Sequence, residues 1–263
     1  MKRRQTTQIR RVLQLVAAVL VLILPSSAQK PAPSGPEHWN PRTFRAGEKL
    51  EYRISWASLM TAATAELTVR ERRPFYGHEA FHFQALARTV EFARSLYELD
   101  DQFDSYGSTE TLVSFRYEAY VHEQNKRENS VVRMSGEGLP VQNDGPMVKV
   151  LPGTRDPLGV LYYLRAIDWA RQSEARVPVF NGRRLFEVHA RSTKSGKIEV
   201  AAGTYTASCV ELRVFERRKE MSNVRIWIWF AQDESHTPAL MEAEMPFGKL
   251  RIELVRASLT QAK

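Results

Sequence analysis

The chain has 263 residues and a formal charge of +8, from 38 Lys and Arg against 30 Asp and Glu. Five of the basic residues and none of the acidic ones fall in the first 28 positions, so the remainder carries +3 and lacks the concentrated basic face that nucleic acid requires. A single cysteine, Cys209, excludes an internal disulfide, and the about 235 further residues are enough for a packed core.

Residues 1–28 have the layout of a secretory signal peptide: a basic head of Lys2, Arg3, Arg4, Arg10 and Arg11, an apolar run over 12–24, and small residues before a cut after Ala28. A retained membrane anchor is the competing arrangement, but the run is shorter than the about 20 residues that span a bilayer. No cysteine stands at the cleavage point for a lipid anchor. The expectation is a soluble periplasmic protein with no stable membrane anchor once the segment is removed.

Residues 29–43 hold Pro31, Pro33, Pro36 and Pro41 and read as an extended leader. The rest reads as a single β-rich domain over 44–259, with 260–263 as a tail. Leu50, Tyr52, Ile54 and Trp56 alternate with polar residues, and so do Ala63, Ala65, Leu67 and Val69 in the next run, which predicts a hairpin. Further strands are predicted over 81–90, 113–121, 127–134 and 146–151.

The rhythm breaks at Asp156-Pro157, a helix start with a capping carboxylate and a proline at the first helical position. Leu158, Leu161, Tyr162, Arg165 and Trp169 then recur at helical spacing, which predicts a helix to about Arg171. A shorter helix is predicted over 90–96. Strands resume over 176–180, 185–192, 197–200, 204–215, 224–231, 239–244 and 249–257, with turn signals at Asn181-Gly182, Ser195-Gly196 and Phe247-Gly248. The predicted fold is mainly β: a large curved antiparallel sheet or open β-barrel with one principal helix covering its apolar face.

The run 224–230 is apolar on both faces, with Val224, Ile226, Ile228 and Phe230 on one and Trp227 and Trp229 on the other. Such a strand is either covered on both sides or lines a cavity. Tyr52, Trp56, Phe83, Trp227 and Trp229 are the candidate ligand-binding residues on the second reading, and ordinary core on the first.

Sites for chemistry are hard to find. No nucleophile elbow, phosphate loop, dinucleotide glycine fingerprint or zinc-protease motif occurs. His78 and His82 would stand about 13 Å apart on a strand, too far to share a metal ion. Asp100-Asp101-Gln102-Phe103-Asp104 resembles a magnesium-binding carboxylate cluster of prenyl-transferring enzymes, but those lie on helical bundles, so a polar turn is the simpler reading. Glu242 and Glu244 read as solvated carboxylates, Cys209 as a small buried hydrophobe, and Arg72-Arg73, Arg183-Arg184 and Arg217-Arg218-Lys219 as solvated edges. No catalytic residue, metal or cofactor is predicted.

Several segments together resemble the exported bacterial family DUF3108. These are the opening from Phe44 to Trp56, the central Asp156-Pro157-Leu158-Gly159 through Arg165, and an ending of Trp227-Ile228-Trp229-Phe230-Ala231-Gln232-Asp233, Thr237-Pro238 and Phe247-Gly248-Lys249-Leu250. The resemblance spans about residues 44–256. Ala57 to Ala63 depart from it where relatives tend to carry a glycine turn. The ending is also similar to that of the periplasmic lipoprotein carriers (LolA/LolB-like), in which an open β-barrel wraps helices around an apolar cavity. The resemblance implies no activity, since the family's function is unknown. The expectation is a non-enzymatic periplasmic protein that holds an apolar ligand, meaning a lipid, acyl chain or lipoprotein, under the sheet. The alternatives are an envelope scaffold with a filled core that meets a protein partner, and a hydrolase of envelope glycan or lipid.

Overall fold

The computed structural model describes residues 43–56, 60–75, 77–95, 97–124, 126–135, 147–222, 224–245 and 248–259. The signal-like segment and most of the proline-rich leader lie outside the described residues, as does Phe247. The first half of the fold is a meander in which β1 (Glu48–Trp56), β2 (Met60–Phe75), β3 (His78–Thr89), β4 (Asp100–Ser108), β5 (Ser114–Glu123) and β6 (Lys126–Ser135) each pair with the next. A one-turn helix, α1 (Glu91–Arg94), links β3 to β4, and β7 (Met147–Lys149) joins β6 in parallel.

The second half begins with helix α2 (Pro157–Ala166) and β8 (Glu174–Phe180). It continues through β9 (Leu185–Val200), β10 (Gly203–Glu216), β11 (Lys219–Glu220), β12 (Arg225–Ala231), β13 (Pro238–Met245) and β14 (Gly248–Leu259). β14 returns to pair with β1, which merges the halves into one sheet of order β7-β6-β5-β4-β3-β2-β1-β14-β13-β12-β10-β9-β8, with β11 beside β10. The fold is the curved, mainly β sheet with one principal helix that the sequence predicts. It is open: edge strands β7 and β8 do not pair with each other. Bulges at Glu51/Tyr52, Val69/Glu71, Cys209/Val210 and Trp229/Phe230 bend the ladders, as bulges do in strongly curved sheets.

The sheet curls until its two edges face each other, and between β7 and β8 the chain passes through α2, which packs on the inner, apolar side. The segment before the helix stitches the edges together. Ser114 N donates to Thr154 O (3.3 Å), Arg155 N to Pro178 O (3.0 Å), and Phe180 N to Arg155 O (2.8 Å). An ion pair between Arg183 and Glu128 spans the same seam.

Both ends of α2 are fixed by buried polar side chains. Asp156 is the N-cap, and its Oδ1 accepts from the amides of Leu158 (2.9 Å) and Gly159 (2.8 Å). Its Oδ2 accepts hydroxyl hydrogen bonds from Ser105 on β4 and Ser114 on β5, each 2.5 Å. Burial pushes the Asp156 carboxyl up, and these four donors act against that shift. Gly159 is required here, since a Cβ would stand 2.7 Å from Ser114 Oγ. At the other end the Arg165 guanidinium, 1 % exposed, pairs with Glu48 on β1 and donates to the carbonyls of Ser235 (2.9 Å) and Thr43 (3.1 Å). Burial works against its charged form, and Glu48 more than offsets this, so its pKa stands above the ordinary value.

Local differences from the sequence expectation have physical causes. Helix α2 stops at Ala166 rather than near Arg171, because Ile167 turns extended (φ −79°, ψ 133°). Asp168 then makes a separate turn, accepting from Ala170 N at 3.0 Å. Ser195-Gly196 is not a turn: both residues pair within one continuous β9, opposite Ser208 and Ala207, and the hairpin turns at residues 201–202. The segment Asp100–Ser108 is strand from its first aspartate, not a turn.

Asp156→Ala removes a cap and two charge-assisted contacts at once, and should cost about 3 kcal/mol in urea unfolding. A change within about 0.5 kcal/mol, the ordinary range for a surface site, would mean the helix is not anchored through this carboxylate.

Candidate functional site

Helix α2 is apolar almost all round, and its two sides meet different surroundings. Toward β3–β5 it packs against aromatic rings. The Tyr162 ring stacks on Phe83 with centroids 3.8 Å apart, and Phe44 meets Tyr162 edge-on at 5.4 Å. Tyr163 lies under the Arg155 guanidinium at 3.7 Å. On the other side, Pro157, Val160, Leu161 and Leu164 border a cavity of about 150 Å³. Its opposite wall is aliphatic: Leu212 and Val214 of β10, Ile226 and Ile228 of β12, Met241 of β13 and Ile252 of β14. Phe186 and Val188 of β9 close one flank.

The asymmetry follows from side-chain size. Strands β1–β5 bury Tyr52, Phe81, Phe83, Phe103 and Tyr117, and the Phe83 ring reaches the helix at Tyr162. Strands β9–β14 send mostly branched aliphatic groups, which stop short of it. An aliphatic space of this size has room for something like benzene. Val160, Leu161, Val214, Ile226, Met241 and Ile252 are only half-buried, so apolar surface is left incompletely covered.

None of the five residues singled out from sequence lines this cavity. Tyr52 and Phe83 are fully buried in the main core, Phe83 under Tyr162. Trp56 packs with Ile54, Tyr97 and Leu250 in a second cluster, so close to Gly248 that a Cβ there would stand 2.6 Å from its Nε1. Trp227 and Trp229 alternate with the cavity-lining Ile226 and Ile228 and therefore face the other side of β12, where the Lys194 ammonium sits 5.1 Å from the Trp229 ring. The lining positions were missed because each reads as ordinary strand alternation. One sequence signal did point to them: a short helix with Leu158, Val160, Leu161, Tyr162, Tyr163 and Leu164 needs cover on every side.

A second pocket, about 410 Å³, lies between residues 167–171 and 230–236. Its polar groups bond one another: Arg171 meets Asp168 at 3.4 Å, Ser235 Oγ donates to Asp233 at 2.6 Å, and Gln232 donates to Ser208 at 2.9 Å. They shape the turns after α2 and β12.

The remaining chemistry-bearing residues are dispersed. The aspartates of β4 divide between the two sheet faces. Asp104 holds His82 (2.6 Å), Gln84 (2.9 Å) and Gln102 (2.6 Å), while Asp101 faces inward and accepts from His122 N at 2.8 Å. Asp100 pairs with Arg88, so the three carboxylates do not converge on one point. Glu242 and Glu244 pair with Arg251 (3.4 Å) and Lys249 (2.6 Å). Burial pushes the Cys209 thiol up, the opposite of an activated nucleophile.

The profile of a family described as proteins of unknown function, DUF3108, matches residues 51–255. The chain belongs to the DUF3108 family. No curated protein matches it. Among solved structures, a β-barrel-like protein of the DUF1849 domain of unknown function from Brucella abortus superimposes with a TM-score of 0.55 at 12% identity, covering 82% of this chain and 98% of that one. A Bacteroides fragilis protein with a YmcC-like fold gives a TM-score of 0.37 at 10% identity over 81% and 96% of the two chains. A Chlamydia trachomatis hypothetical protein gives 0.40 at 11% over 84% and 91%. The first likeness places this DUF3108 chain in a β-barrel-like fold, and a fold of this kind does not carry a function with it.

The buried acids give a pH dependence. Burial pushes the Asp101 carboxyl up to about 7, with Glu123 and Asp100 adding to the shift. Glu123, which accepts from Tyr97 Oη at 2.7 Å, is raised too. In the unfolded chain Asp101 titrates near the ordinary 3.8. Between those values the folded state holds a proton that the unfolded state releases, so stability should rise as pH falls from 8 toward 5. Urea midpoints of wild type and Asp101→Asn across that range check this. The variant should have the flatter profile, and parallel profiles would contradict the assignment.

Proposed function

We propose that this DUF3108 protein is a non-enzymatic, extracytoplasmic binding protein that shelters an apolar ligand, an acyl chain or similar hydrocarbon, between α2 and the β8–β14 half of the sheet. The observation that carries the reading is the aliphatic cavity bordered by half-buried Val160, Leu161, Val214 and Ile226. Apolar surface left open inside a curved sheet is the usual form of a small-molecule site. The lining includes a single acidic residue, Glu242, whereas hydrolysis of a glycan or lipid needs at least two ionisable groups meeting in a cleft. The signal-like segment at 1–28 supports location outside the cytoplasm.

The test is uptake of a neutral apolar dye, N-phenyl-1-naphthylamine, followed by fluorescence. Wild type should bind it. Val214→Trp combined with Ile226→Trp, which fills the cavity, should weaken binding at least about tenfold while circular dichroism stays unchanged. Trp227→Ala should leave uptake within about twofold, because its side chain lies on the other face of β12. Absence of uptake by wild type would favour the scaffold with a filled core, for which the packed β1–β5 side of α2 is the structural model.

A further inference from the structure

The cavity-lining residues sit near one end of their strands: Asn181 just past β8, Phe186 early in β9, Val214 late in β10, Ile226 at the start of β12, Ala243 late in β13 and Leu250 early in β14. These strand ends, with the described turns at 181–184 and 217–218, form a rim on which several charges are paired. Arg183 pairs with Glu128, Arg213 with Glu220, and Lys249 with Glu244. Arg217, Arg218 and Lys219, all exposed, form no ion pair among the described residues.

Two further observations fall on the same rim. Arg217 and Arg218 form the two-residue turn between β10 and β11 with φ of 49° and 67°. Turns of this left-handed kind normally carry Asn-Gly, so two arginines there oppose the local backbone preference. The turn begins three residues after the cavity-lining Val214. Arg184 is 4 % exposed and bonds Glu216 through Nη1 at 3.2 Å, while its Nη2 has no hydrogen-bond partner among the described residues. Its backbone N donates to Oδ1 of the cavity-lining Asn181 at 2.9 Å. A buried guanidinium nitrogen without a partner is costly unless an acceptor meets it.

The geometry points to an anion site at the cavity mouth: the ligand is a single-chain fatty carboxylate, its hydrocarbon in the cavity and its carboxylate at Arg184 and the Arg217–Arg218 turn. This rests on the apolar-cavity reading above. A cavity of about 150 Å³ has room for part of one chain rather than two. Glu216 remains at the rim beside Arg184, which favours a singly charged head over a doubly charged one.

The test is displacement of N-phenyl-1-naphthylamine from the full protein by decanoate, decanol and decyl phosphate at low salt. Decanoate should displace the dye at about tenfold lower concentration than decanol, the equivalent of one charge-assisted hydrogen bond. The preference should shrink in concentrated salt. Arg217→Asn with Arg218→Gly should bring decanoate and decanol within about twofold of each other, while raising the melting temperature by restoring a preferred turn. Decanoate and decanol displacing equally in wild type would overturn the anion site and leave the cavity reading intact. Failure of all three to displace the dye would count against both. Decyl phosphate at least tenfold stronger than decanoate would overturn the carboxylate in favour of a phosphate head.

Discussion

The fold depends on one helix. The single sheet curls until its two edges meet at a seam, and between β7 and β8 the chain turns inward as α2, which occupies the inner face. The helix is held at both ends by buried polar groups, the Asp156 carboxyl against two serine hydroxyls and two amides, the Arg165 guanidinium against Glu48 and two carbonyls. Buried polar groups are tolerable only when their partners are complete, so these contacts tie the position and direction of the helix to β1, β4 and β5.

Once the helix is fixed, the unequal lengths of the facing side chains decide the rest. The aromatic half of the sheet closes onto Tyr162 and Tyr163, and the aliphatic half leaves a gap beside Val160 and Leu161. The apolar cavity is therefore a consequence of where α2 is anchored. The Asp156-Pro157-Leu158-Gly159 segment belongs to this architecture: cap, first-turn proline, core leucine and a glycine pressed against Ser114.

Much of the architecture was legible in the sequence. Alternation at 50–56 and 63–69 gave the first hairpin, and Asp156-Pro157 marked the start of α2 to the residue. Sheet order was not legible, because it depends on pairings such as β1 with β14 that lie some 200 positions apart. The site was less legible still. Tyr52, Trp56, Phe83, Trp227 and Trp229 attract notice by size, yet large rings are what fill a core, and the space is left where side chains are short. The unpaired Arg217-Arg218-Lys219 run reads as a solvated edge until its left-handed turn and its closeness to Val214 are seen together.

The central claim is that the β8–β14 side of α2 is an apolar space open to a hydrocarbon, and methyl-resolved NMR with a nitroxide-labelled neutral alkane tests it most directly. The account predicts selective broadening of the methyl signals of Val160, Leu161, Val214, Ile226, Ile228 and Ile252, with Leu67, Val69 and Val121 on the packed side left sharp. Uniform broadening, or broadening confined to the packed side, would contradict it.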